Sequence, residues 1–349
     1  MKPILTEERG LVAEIRRATN EANRNNLTRT KAYLDFFQKH PEVHWALLAH
    51  LVSRNGGWNM TDLKGEWLPR LMDASEVERT FWFLERCNWL IFHDAYAQLL
   101  LYEKMKDANE DLTLFLPDLG VSRFMQPIWQ DFLHKRDSQL LTRALIVNEQ
   151  QYIEQRVVDK PFAQKHIFFS PAFFAQSVLS LNQVLFPYKE HPTDRRLRIC
   201  GMTVQRFPSL EQRIATGKAL YQLLFDNPVR LAKIYEWAQR IPHSGSRADY
   251  WPHLFSPRPH AVDAHVAYTP RMEGTELRPG THKLYSPTLT AAWPDQEHPP
   301  ADGVDWYRDE KWLAELDERS DLPTIDEEKY IRSLHMIEWG VRFVTAFSP

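Results

Sequence analysis

Residues 75–105 read SEVERTFWFLERCNWLIFHDAYAQLLLYEKM. Ser75 and Glu78 have the spacing of a capping box, in which each side chain satisfies a backbone N–H at the other's end of the first turn. The stretch therefore predicts one long helix running toward Met105. The runs Phe81-Trp82-Phe83-Leu84 and Trp89-Leu90-Ile91-Phe92 leave that helix nearly apolar all round. Such a helix belongs at the centre of a helical fold, since a rim helix keeps one polar face. Cys87 lies inside the apolar run and reads as a buried, unreactive thiol. Arg79, Arg86 and His93 recur at steps of seven and form one line on the helix.

Capped helical segments extend in both directions from this centre. Thr6 opens a helix to about Asn23, and Thr28 opens a second through Tyr33 and Phe36-Phe37. Pro41 suits the first turn of a third, ending at Gly56-Gly57. Ser122 opens another near Phe124, and Leu140–Val158 is strongly helical. Ser170-Pro171 leads a helix to Leu185, Ser209 with Gln212 leads one to Phe225, and Asn227-Pro228 starts one through Trp237. Leu197–Phe207 alone is strand-like. The expected fold is mainly α, a single large helical domain whose body spans residues 1–241.

The chain has 349 residues, 43% hydrophobic and 26% charged, a globular balance that excludes a disordered tail or a collagen. Two cysteines exclude a disulfide scaffold, and a net charge of −3 gives no bulk attraction to nucleic acid or anionic lipid. Apolar runs such as Trp45–Ala49 fall far short of the roughly 20 residues a membrane span needs. No apolar stretch follows Lys2 as a secretory signal would require, so a cytoplasmic location is expected.

The character changes at Pro242. Residues 242–300 hold ten prolines and six of the 14 histidines, and no helical period survives there. Tyr250, Trp251, Phe255, Tyr285 and Trp293 provide anchors, so residues 242–323 are expected to wrap the helical body, as a structural strap or as a lid. Residues 302–328 carry eleven acidic residues, whereas 192–247 carry ten Lys/Arg against four Asp/Glu. That basic stretch reads either as a phosphate-binding face or as solvated arginines beside the acidic segment. Thr324 with Glu327 caps a last helix within residues 324–349, with Ile331, Leu334, Ile337 and Val341 on the face that packs back.

The densest polar and aromatic stretch is NNLTRTKAYLDFFQKHPEVHWALLAHLVSRNGGWNMTDL, residues 25–63. At 3.6 residues per turn, Leu47, Leu51, His44, Leu48, Val52 and Trp45 fall in one arc with His44 at its centre. His50 and Arg54 are four apart at the arc's edge, and Asn55, Asn59 and Asp62 follow. Two readings stand side by side. In one, His44 is a core histidine and Gly56 a helix cap. In the other, a hydrolase-type pocket has His44, His50 and Asp62 as catalytic groups and Arg29, Arg54, Asn55 and Asn59 as binding groups.

No metal or other cofactor is expected. His40 and His44 enclose Pro41-Glu42 and do not make HExxH. His260, Asp263 and His265 would need the loop to fold back on itself. Arg86 and His93 resemble the Arg–His pair of the helical HEPN ribonucleases, in which the Arg would hold a phosphate and the His would act as acid or base. The chain departs from that family in having Cys87 where a polar residue follows the Arg.

Residues 25–63 are also similar to the signature of the YppC-like proteins of bacilli. The matching residues include Asn26, Thr28-Arg29-Thr30, Pro41-Glu42, Trp45, Ala49-His50 and the run Ser53–Leu63. Phe207–Ile214 and Tyr285-Ser286-Pro287 extend the resemblance over most of the chain. That family is a domain of unknown function, so it implies a cytoplasmic bacterial protein and supplies no reaction or catalytic residue. Three classes of function follow. The first is an interaction or scaffold protein, marked by an exposed apolar patch. The second is the hydrolase with an unidentified small ligand, marked by an enclosed polar cavity at His44–Asp62. The third is an RNA-directed nuclease or binder using Arg86, His93 and residues 192–247, marked by a basic groove.

Overall fold

The computed structural model describes residues 2–168, 183–204, 207–260, 268–316 and 323–347. Nine helices longer than ten residues dominate them: α1 (Lys2–Ala22), α2 (Asn26–Lys39), α3 (His44–Asp62), α4 (Ala74–Ala108), α5 (Met125–Lys135), α6 (Ser138–Ile153), α7 (Leu210–Phe225), α8 (Pro228–Arg240) and α9 (Glu327–Phe347). The fold is mainly α, as the pattern of caps predicts. Helix α4 packs against α1, α2, α3 and α6, the central position its all-round apolar surface requires.

Ser209 and Asn227 cap α7 and α8 as predicted, whereas the caps of α4 and α2 fall two and three residues before their expected places. Asp73 and Glu76, in place of Ser75 and Glu78, form the box at α4: Glu76 N–H donates to Asp73 Oδ1 at 2.8 Å, and Asp73 N–H donates to Glu76 Oε2 at 2.9 Å. An aspartate in that position adds a favourable negative charge at the helix N-terminus. At α2 the cap is Asn25, with Thr28 as the other half of the box.

Helix α3 starts at His44, after Pro41, and does not stop at Gly56-Gly57 but runs on to Asp62. The glycine at 57 is there for close packing. A Cβ on Gly57 would sit 2.5 Å from Asn26 Oδ1 and 2.6 Å from His243 Nε2, whereas one on Gly56 would find its nearest neighbour, Asn88, at an ordinary 3.7 Å. Gly57→Ala should therefore cost roughly 1–3 kcal/mol by overpacking. Gly56→Ala should be neutral or gain up to about 1 kcal/mol in helix propensity. Urea melts of the two variants check this, and equal melts would remove the packing role of Gly57.

Beyond Ile153 the predicted helix to Val158 widens into a π-turn over Glu154–Val158, and a second π-turn spans Gln164–Phe168. The helix expected from Ser170-Pro171 lies outside the described residues over 169–182, and its predicted end is instead strand: β1 (Gln183–Tyr188) pairs antiparallel with β2 (Arg198–Thr203), Leu185 opposite Gly201. Asn55 of α3 explains the change. Its amide donates to Leu185 O at 3.0 Å and accepts from Leu185 N–H at 2.9 Å, serving as a ladder partner that local sequence does not reveal.

From Pro242 onward regular structure is sparse. β3 (Phe255–Ser256) pairs with β6 (Leu284–Tyr285), and β4 (Met272–Glu273) pairs with β5 (Glu276–Leu277). Of the five expected aromatic anchors, Tyr250, Trp251, Phe255 and Trp293 are buried and Tyr285 is half-buried. The Trp293 ring stacks on Phe81 at 3.8 Å, and its indole N–H donates to Met60 O at 2.9 Å. Thr324, predicted as a cap, belongs to β7 (Thr324–Ile325), which extends the β1–β2 sheet at the β2 edge. Asp326 caps α9 in its place, accepting from Lys329 N–H at 2.9 Å. Ile331, Leu334, Ile337 and Val341 are buried on α9 as expected. No helix among the described residues is long and apolar enough to cross a membrane.

Candidate functional site

The residues singled out in 25–63 separate into independent networks. His44 is half-buried; its Nδ1 pairs with Tyr221 Oη at 3.0 Å and its ring stacks on Phe225 at 4.2 Å, both on α7. Burial lowers its pKa. His50, placed by the wheel at the arc's edge, is deeper than His44 at 2% exposure. Its Nδ1 donates to Thr30 O at 2.8 Å, and burial, reinforced by the charge of Arg54, pushes its pKa down to about 3, so the ring is neutral.

Arg54 is buried as well. It donates to Ile241 O at 2.6 Å and Pro242 O at 3.2 Å and lies over the Trp237 ring at 4.3 Å. The edge of the arc is thus covered by the chain from 241 onward, which a wheel drawn on α3 alone does not show. Asp62 accepts from Arg247 Nε at 2.8 Å and Nη2 at 2.7 Å. Burial raises the Asp62 carboxyl above its ordinary range, and the guanidinium pulls it back. His44, His50 and Asp62 therefore have separate partners, and the structure does not join them in one pocket.

The remaining candidates divide. Arg86 donates to Pro299 O at 2.6 Å and lies over Trp89 at 4.9 Å, while His93 stacks on the same ring and burial lowers its pKa to about 4. The basic stretch 192–247 is largely neutralised: Arg213 pairs with Glu154, Lys218 with Glu315 at 2.5 Å, Lys233 with Glu190 at 2.6 Å and Arg247 with Asp62. No group of three or more potential metal-ligating side chains comes together among the described residues, and Asp263 and His265 of the late loop lie outside them.

Arg29, Asn55 and Asn59 do line a cavity, on the other side of α3. Two adjoining cavities of about 170 and 210 Å³ lie between α3, α4, α6 and the β1–β2 sheet. Val52, Asn88, Ile91, Val184, Val204 and Phe207 are walls of both. The first cavity is further lined by Arg29, Tyr33, Trp45, Glu149 and Arg213, the second by Asn55, Asn59, Cys87 and the π-turn residue Ile167. The Cys87 thiol is pushed by burial up to about 12, so it is the unreactive thiol expected. π-Turns inside helices cluster at functional sites; here one contributes Ile167 to the wall, and the other starts directly after the wall residue Ile153.

Among the described residues, Glu149 is the one carboxyl that lines the chamber, and no cation pairs with it. Arg29 is held by Glu85 at 2.6 Å and Arg213 by Glu154. The Glu149 carboxyl accepts from Trp45 Nε1–H at 3.2 Å on Oε2 and from Gln150 Nε2–H at 3.2 Å on Oε1. Burial pushes its pKa up to about 8, so it is mostly protonated near neutrality. It lines the first cavity. Sequence reading missed it, although Glu149 shares an apolar helical stripe with Leu145 and Tyr152, where a carboxylate is out of place.

A mainly α protein whose signature helix walls a paired, largely apolar chamber is the class that fold and site define. The family model described as "Protein of unknown function (DUF2515)" matches residues 21–334, and the chain belongs to this family. It is similar to "Uncharacterized protein YppC" of Bacillus subtilis (strain 168), with 41% identity over 243 residues, 69% of this chain and 73% of that protein. No solved structure matches it. The YppC-like resemblance read from residues 25–63 thus holds over most of the chain, and it assigns no reaction.

Proposed function

We propose that this is a cytoplasmic binding protein for a small, mainly apolar molecule, which it takes into the paired chamber beside α3. The observation that supports this reading is the continuity of the two cavities through seven shared wall residues, Gln150 among them, since well-packed interiors hold few voids larger than a water. Apolar cavities of this size accept small hydrocarbons, and a few polar groups at one end give orientation. A carboxyl that titrates near neutrality also equips the chamber for proton transfer, but the observed geometry pairs it with no nucleophile, so binding is the reading put forward.

The test is a thermal-shift titration with 1-hexanol. Wild type should be stabilised by mass action, with a shift that grows with ligand concentration. Val52→Trp, which fills the wall common to both cavities, should retain helical circular dichroism and lose the shift. A wild-type protein that does not respond, or a Val52→Trp variant that responds equally, removes the reading.

A second reading, the interaction protein, is favoured by one feature. Met336 and Trp339 of α9 are 47% and 54% exposed on the face opposite its buried residues. A partner held there would lose affinity in Trp339→Lys without any change in hexanol binding.

A further inference from the structure

We propose that the molecule taken into the chamber is an organic cation, an ammonium group on an apolar body, held by the carboxylate of Glu149 and flanked by the rings of Tyr33 and Trp45. This inference rests on the ligand-binding reading of the same chamber and names the chemistry of the ligand's polar end.

The hydrogen-bond geometry around Glu149 carries it. Trp45 Nε1 can only donate. Gln150 has its amide orientation set by Arg213, whose Nε donates to Gln150 Oε1 at 3.0 Å, and this turns Gln150 Nε2 toward Glu149. Both carboxyl oxygens are therefore offered donors, an arrangement that suits an anion that only accepts. Yet no Lys, Arg or His among the described residues supplies the positive charge. Other buried carboxylates, such as Glu85 and Asp62, have an arginine each. Asp94 and Glu338 lack one, but neither lines the chamber. Glu149 is thus a carboxylate site, open to a cavity, that has no counter-charge among the described residues.

The rest of the wall agrees. Arg29 and Arg213 are each occupied by their own carboxylate, so an anionic ligand would meet two neutralised arginines and Glu149. Tyr33 and Trp45 stand edge to face at 5.3 Å in the same wall, with Phe207 beyond them. Rings of this kind attract ammonium groups most strongly when water is excluded. An alkylammonium entering the site is already protonated; Glu149, mostly neutral before binding, ionises against it and its proton leaves to solvent.

Calorimetric titration of full-length protein with hexylammonium chloride and with 1-hexanol at pH 7 tests this. Hexylammonium should bind at least tenfold more tightly than 1-hexanol to wild type. Its binding should release nearly one proton, read from the dependence of the heat on buffer ionisation enthalpy. Glu149→Gln should lose the preference, binding hexylammonium no more tightly than it binds 1-hexanol. If wild type binds the two probes equally, or the preference survives in Glu149→Gln, the cation assignment is overturned and the apolar chamber stands. If wild type binds neither probe, the chamber reading fails and this inference with it.

Discussion

Glu149→Gln gains melting temperature over wild type as the pH is raised from 5 to 9. Burial lifts the folded-state pKa of Glu149 from an ordinary 4.5 to about 8. The folded protein thus binds a proton that the unfolded chain has released. Its contribution to stability is fully present below the unfolded pKa and is lost as pH climbs through the folded one. Over that window the loss is on the order of 3 kcal/mol, and the glutamine amide of the variant does not titrate.

The groups around Glu149 do not reproduce this slope. Asp94, pushed up by burial to about 7, titrates in both proteins and largely cancels in the difference. The Tyr33 hydroxyl is raised well above its ordinary value, so it stays neutral throughout. Melting curves of both proteins at five pH values give the result directly. Parallel curves would mean that Glu149 is ionised in the folded state, with a counter-charge already beside it.

Arg247→Met unfolds the protein more than any single change in the chamber. Arg247 joins three parts of the chain: Asp62 at the end of α3, its own place just past Pro242, and Tyr330 of α9, to whose hydroxyl it donates at 2.7 Å. Its guanidinium also lies over the Trp58 ring at 3.9 Å. Methionine keeps much of the volume but leaves the Asp62 carboxylate buried and unpaired, which costs about 3–5 kcal/mol. Asp62→Asn with Arg247→Met should recover part of that loss, because no charge is stranded. Urea melts of the single and double variants measure the coupling. A single-mutant loss below about 1 kcal/mol would return Asp62 to the pool of functional residues.

Much of the fold was legible because its causes are local. Apolar period and capping chemistry lie within a few residues of each other, so α4, α7, α8 and the buried face of α9 follow from residues 75–105, 209–225, 227–237 and 331–341. The errors came where two local signals competed or a distant partner intervened. Asp73 and Ser75 both offer an N-cap two residues apart, and only the packed helix selects one. Gly56-Gly57 looks like a stop, yet Asn26 and His243 require the second glycine inside the helix.

The site was less legible for the same reason. A wheel ranks α3 residues by their own neighbours, and it put His44 at the core and Arg54 at the edge. The tertiary structure lays residues 241–250 over that edge, burying Arg54 and His50, and turns His44 to Tyr221 and Phe225 on α7.

By itself, the sequence determined that this is a mainly helical member of its family, with a central apolar helix and an aromatic-anchored strap after Pro242. Those properties depend on period, caps and ring content, which are read along the chain. Only the tertiary structure decided that the signature is mostly framework and that a chamber lies behind it. A cavity, and a carboxyl that has no counter-charge among the described residues inside it, are defined by what many separated segments fail to fill or pair, and no single stretch of residues records that.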